Sequence, residues 1–148
     1  MSDISQLKKR YERLNGSKPV DPNYVQAMAR ELGMILPEDF VEATKFFDGG
    51  GFGVLQLHAI GAHPATNVLT ETKRIREAIG LPSQFLVLGE PPESFLVMDC
   101  SKGGQVVWCD AVDAKRLGRE KLSQQPETWS SFGEFFEHLL DEEERDRG

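Results

Sequence analysis

The chain has little of what staples a small secreted protein, crosses a bilayer or carries redox chemistry. Of 148 residues only two are cysteine and three are histidine. Cys100 and Cys109 flank one predicted hairpin, where a disulfide is geometrically conceivable. No secretory segment accompanies them: the opening MSDISQLKKRYERLNG is amphipathic and has no apolar h-region. No run approaches the ~18 apolar residues that cross a membrane. The expected location is therefore cytoplasmic, with both thiols reduced and no membrane partner. Each cysteine also adjoins an acid, Asp99 or Asp110, which disfavours a reactive thiolate and favours structural thiols.

Other chemistry is missing by spacing. His58 and His63 are five apart, which fits neither the i, i+4 pairing of a helix nor the i, i+2 pairing of a strand. His138 stands alone on a predicted helix, with Glu134 one turn before it as an ion-pair partner. No metal is expected. The run GGGFG (Gly49, Gly50, Gly51, Gly53) lacks the G-K-[ST] of a phosphate loop and the third glycine of the dinucleotide fingerprint. A helix precedes it and a strand follows it, so it reads as a helix-to-strand turn. No cofactor is expected.

What is abundant is acid. There are 24 Asp and Glu against 17 Lys and Arg, a formal charge of −7. Such a surface repels phosphate backbones, which argues against nucleic acid and favours a basic protein partner; plain solubility is the competing explanation. The 39% hydrophobic share and a length that buries roughly 68–70% of the unfolded surface predict one self-sufficient core. Residues 1–140 form a single domain on this reading. The terminal DEEERDRG, 141–148, is expected to be a frayed acidic tail.

Along the chain, Ile4, Leu7, Tyr11 and Leu14 recur with helical period, and Gly16 ends the run. GSKPV reads as a linker. Asp21 caps a second helix with Pro22 in its first turn, and Gly33 ends it. Pro37 opens a third, with Glu38 and Asp39 at its positive end and Phe40, Val41, Thr44 and Phe47 as its buried stripe. Gly53–Leu57 reads as a strand. Thr66 or Asn67 caps a fourth helix whose inner face is Val68, Thr72, Ile75 and Ile79. Ser131 and Glu134 form an S-x-x-E box for a last helix bearing Phe132, Phe135, Phe136, Leu139 and Leu140. The stretch after Asp110 is weakly periodic and reads as irregular with one helical turn. The predicted core is Leu36, Phe40, Phe47, Leu55, Leu57, Ile75, Leu96, Val107, Phe135 and Leu139.

Between these helices, FLVLGEPPESFLVMDCSKGGQVVWCD (85–110) is a β-meander: three short apolar runs separated by Pro- and Gly-rich turns. It carries acids rather than a catalytic set. Glu90, Glu93, Asp99, Asp110 and Asp113 cluster around it. They are expected, with Trp108, to form a partner-binding surface; the competing readings are solvated turn acids and a core tryptophan. Helices at both ends with an antiparallel sheet between them indicate α+β. One sheet face should be covered by helices and the other left partly open.

The order of motifs resembles a known family. An ELG helix, an LPEDF helix running into GGG, a G-x-V hairpin strand and a terminal SFGEFF helix resemble the SUKH superfamily, also called Smi/Knr, over residues 20–140. The resemblance implies an α+β domain with a mixed or mainly antiparallel sheet of about five to six strands wrapped by helices. For bacterial members it implies immunity proteins that neutralise polymorphic toxins, often nucleases, by direct contact, and for fungal relatives cell-wall signalling. No invariant catalytic set comes with it, and no enzyme activity is expected. Two alternatives stay open: a regulatory or scaffold module for a host protein, and a small hydrolase using the meander carboxylates.

Overall fold

The computed structural model describes residues 3–52 and 55–147. Side-chain caps open most of its helices. Asp3 accepts the Ser5 N–H and opens α1, Ile4–Asn15. Asp21 accepts the Asn23 N–H and opens α2, Pro22–Leu32, which Gly33 ends in the left-handed region. The third helix, α3, is short, Glu38–Ala43. Asn67, rather than Thr66, caps α4, Val68–Ile79, in a reciprocal box with Thr70. The last helix, α5, spans Phe132–Arg147.

Two antiparallel sheets lie between them. The smaller pairs β1, Gly51–Phe52, with β2, Leu55–Gln56. The expected strand Gly53–Leu57 is thus described only from Leu55, because Gly53 and Val54 lie outside the described residues. The larger sheet runs β3, Phe85–Gly89; β4, Ser94–Asp99; β5, Gln105–Asp110; and β6, Glu127–Trp129, in sequence order. The strand β6 was not foreseen: at three residues it is too short to show alternation, and its pairing with Val106–Trp108 makes it a strand. A bridge between Leu57 and Gly89, with the His58 N–H on the Leu88 carbonyl at 2.9 Å, ties the small sheet to the large one.

Gly49 explains the glycine run. Its φ is +81°, and a Cβ there would lie 2.2 Å from the His58 carbonyl oxygen. The chain after α3 folds back against residues 57–60 too closely for any side chain. A helix-to-strand turn is what these glycines make.

Both faces of the β3–β6 sheet are buried, which corrects the expectation of a partly open face. Leu86, Leu88, Leu96, Met98 and Val106 pack with α1, α2, α3 and α5. On the other side Phe85, Val87, Val97, Val107 and Cys109 pack with Ile75 of α4 and with Ala114 and Leu117. The supposedly irregular stretch after Asp110 thus closes the second face. It starts as a 3-10 helix, Ala111–Arg116. Of the predicted core residues all are buried except Leu55, which is half-buried.

The frayed tail is also corrected: α5 continues through 141–147 because α1 holds it. Arg10 donates to Asp141 at 2.7 Å and to Glu144 at 2.6 Å. Asn15 donates to the buried Glu143 at 2.9 Å, and Arg147 donates to the Leu14 carbonyl. The residues are polar, as a tail would be, but their partners lie 128 or more positions away.

Candidate functional site

The meander acids separate into two kinds. Ser94 pairs with Asp110 across β4 and β5, and the Glu93 carbonyl accepts the Ala111 N–H at 2.9 Å. Glu93 and Asp110 therefore sit together at one end of the sheet, both exposed. Glu93 has φ +59°, a left-handed conformation that glycine or asparagine adopts at less cost. Asp99 lies at the opposite end of β4.

Asp99 and Asp113 are not surface acids, which corrects their place in the predicted binding surface. Asp99 is 4% exposed and accepts the Ser101 N–H at 3.0 Å and hydroxyl at 2.6 Å, capping the turn after β4. Asp113 is 1% exposed. It accepts the Ser123 N–H at 3.0 Å, the Ser123 hydroxyl, the Gln124 N–H at 3.3 Å and Arg116 at 3.2 Å. The Ser123 N–H, with its hydroxyl, Gln124 and Arg116, holds this carboxyl below its usual range against the opposing effect of burial. Both look like solvated turn acids in sequence: Asp99 has its serine two residues on, but Asp113 meets Ser123 only ten residues away. Trp108 is half-buried on the helical face, opposite Leu96 and Glu127, and packs on the main core.

Glu90 belongs to a third arrangement. Its carboxylate meets His58 Nε2 at 2.8 Å and the Arg74 guanidinium at 2.7 Å. Arg74 also binds Glu71 at 2.8 Å. Burial alone would raise the Glu90 carboxyl; the bonds from Arg74 and His58 outweigh it and hold it low. Spacing along the chain tested His58 only against His63, and so could not find this grouping.

A second acidic region lies where α1, α3 and α5 converge. A cleft of about 620 Å³ is lined by Glu38, Asp39, Glu42 and Glu134 beside Ile4 and Pro37. Asp39 is occupied structurally, accepting the Phe40 and Gly133 N–H groups at 2.8 Å each. Ser131 caps α5 through the Glu134 N–H. The Glu134 carboxylate reaches Ser130 rather than completing the box on Ser131. His138 pairs with Glu142 at 3.2 Å, not with Glu134, and its ring packs on Trp129.

The thiols are poorly suited to nucleophilic work. Burial first, and Asp99 second, push Cys100 up to about 12; burial, then Asp113 and Asp110, push Cys109 up to about 11. Both are free. Cys109 pairs in register with Phe95, while Cys100 lies beyond the Asp99–Gln105 pair, so the two do not face one another.

The architecture is thus an α+β domain whose helices and one long strap enclose an antiparallel sheet, leaving carboxylates at the sheet end and in a helical cleft. The SMI1 / KNR4 family (SUKH-1) matches residues 19–138, and the chain belongs to that family. No curated protein matches it. The matched region leaves out all of α1 and the last part of α5, the two segments that Arg10 and Asn15 join. Among the described residues no helix is long and apolar enough to cross a membrane.

Proposed function

We propose that the protein is a binding domain that acts as an immunity protein, neutralising a polymorphic toxin by direct contact. Membership of the SMI1 / KNR4 family over residues 19–138 carries this reading. The net charge of −7 and the exposed pair Glu93 and Asp110 support a basic partner. The mechanism needs no bond to be made or broken. Acids at an accessible sheet end steer a cationic partner into encounter, and apolar anchors then hold it. Glu93 gives this surface one further support, since an acid stands where glycine would be less strained.

The test starts with the partner purified as a complex with this chain. The partner alone should arrest growth or show its toxic activity in vitro, and an equimolar amount of this protein should abolish that activity. A partner with no toxic activity would defeat the immunity reading. The surface is tested separately by Glu93→Lys with Asp110→Lys. The double variant should associate about tenfold more slowly at low salt and nearly normally at high salt. Unchanged association at both salts would remove this end of the sheet from the interface.

A further inference from the structure

His58, Glu71 and Glu90 come from three separate segments: the strand exit after β2, the first turn of α4 and the turn after β3. One ligand atom from each lies within 4.8 Å of the others. Their backbones are anchored. The His58 N–H is bound to the Leu88 carbonyl and the Glu71 N–H to the Asn67 carbonyl, both at 2.9 Å, so closing the group further needs only side-chain rotation. An imidazole nitrogen with two carboxylate oxygens is a donor set that zinc accepts, leaving a fourth position open. Bonds of ~2.0–2.2 Å would place tetrahedral donors about 3.4 Å apart, a contraction that rotation of two glutamates supplies.

A cation already stands between the carboxylates. Arg74 bridges Glu71 and Glu90, and its side chain is 51% exposed against 14% for Glu71, 16% for His58 and 25% for Glu90. The anionic donors are thus more sheltered than the arginine that neutralises them. The arginine lies on the solvent side of the group. With a neutral imidazole the four side chains sum to one negative charge. Replacing the guanidinium by a divalent ion brings the group to neutrality, which favours the exchange electrostatically.

We propose that His58, Glu71 and Glu90 form a binding site for a divalent transition-metal ion such as zinc, with Arg74 as the internal cation that the metal displaces. The site joins the small hairpin, α4 and the β3–β4 turn. It replaces the expectation of no metal, which rested on spacing along the chain alone. It is independent of the immunity reading.

The experiment titrates zinc chloride into untagged, metal-stripped protein by calorimetry, with cobalt(II) absorption as a spectroscopic check. The parent should bind one ion per chain. Arg74→Ala, which removes the competitor and leaves all three donor residues in place, should bind about tenfold or more tightly than the parent. His58→Gln and Glu71→Gln should each lose about tenfold or more, and the visible cobalt bands should collapse. His63→Gln and His138→Gln should bind as the parent does, and circular dichroism establishes that each variant is folded. The proposal is overturned if neither the parent nor Arg74→Ala binds zinc at millimolar concentration. It is equally overturned if binding survives in both folded donor variants. Should His58→Gln fail to fold, Glu71→Gln and Arg74→Ala still decide the question.

Discussion

The two faces of the β3–β6 sheet are both dry, but they are closed by different means. On the helical face Phe136 packs against Tyr11, Phe46, Phe47, Phe52 and Phe132, with ring centroids 5.0–5.9 Å apart and several edge-to-face pairs. Those rings come from α1, from the stretch after α3, from β1 and from α5, so many elements must move before any ring is exposed. The opposite face is aliphatic: Val87, Val97, Val107, Ile75, Leu81, Ala114 and Leu117, with Phe85 at its edge. Its outer half is covered by the strap from Ala111 to Gln124, in which the Asp113 carboxylate ties the start to Ser123 and Gln124 and Arg119 ties the middle to the Gly80 carbonyl after α4. A helix-built core distributes its support. A strap rests on a few polar ties, several of them to Asp113.

The largest effect should come from the aromatic side. Phe47→Ala removes a ring buried to 1% exposure and should cost about 3–5 kcal/mol, much of a typical domain's stability. Chemical denaturation measures it, and a loss below about 1 kcal/mol would show that this core relaxes around the cavity. On the aliphatic side Leu117→Ala should cost less, about 2 kcal/mol, at the low end for a leucine truncation. Leu117 sits in the middle of the strap, just after its 3-10 helix, and the strap can settle into the space left behind. Equal losses at the two sites would erase the contrast between the faces.

That contrast was only half readable beforehand. Helical period with caps and stops such as Asp21, Gly16 and Gly33 located the five α-helices, because these residues act within a few residues of themselves, but not the end of α3 at Ala43 or of α5 at Arg147. The meander was readable for the same reason. The cover of the second face was not, since its hydrophobics, Ala114, Leu117 and Leu122, follow no single period and are buried only by the sheet beneath. The acids show the limit most clearly. Asp113 and Asp110 stand three residues apart, and only the fold sends one to Ser123 and leaves the other in water. His58, Glu71 and Glu90 span 32 residues, a separation no spacing rule covers.

A smaller and more local effect is expected at Asp113. Asp113→Asn keeps the size of the side chain but removes the charge that four donor groups address. The strap should loosen while the aromatic core stays intact. Hydrogen exchange would show faster amides over 111–124 and unchanged ones over 43–47. Acid should do the same to the parent. The folded carboxyl of Asp113 lies below its unfolded value. Its stabilising contribution is therefore complete above the ordinary aspartate range near ~4 and is lost as pH falls through the lower folded value. In Asp113→Asn that acid-induced loosening of the strap should be absent. If the strap amides of parent and variant exchange alike at pH 7 and at pH 3, Asp113 does not hold the strap.

The smallest effect, and the only stabilising one, belongs to Glu93, which lies in neither core. Its φ of +59° costs an L-residue about 1–2 kcal/mol, while glycine pays more chain entropy on folding. Glu93→Gly should therefore raise stability by about 0.5–1 kcal/mol. The gain should appear next to the strap, because the Glu93 carbonyl receives the Ala111 N–H where the strap begins. Unlike the truncations, this change leaves both sheet faces untouched, so it separates the turn's own strain from the packing it supports. It also removes one exposed charge from the proposed interface. A variant that is more stable yet associates more slowly with the partner would show that the acid is kept at a structural cost for binding. A variant that loses stability would show that the glutamate side chain makes contacts outweighing its backbone strain.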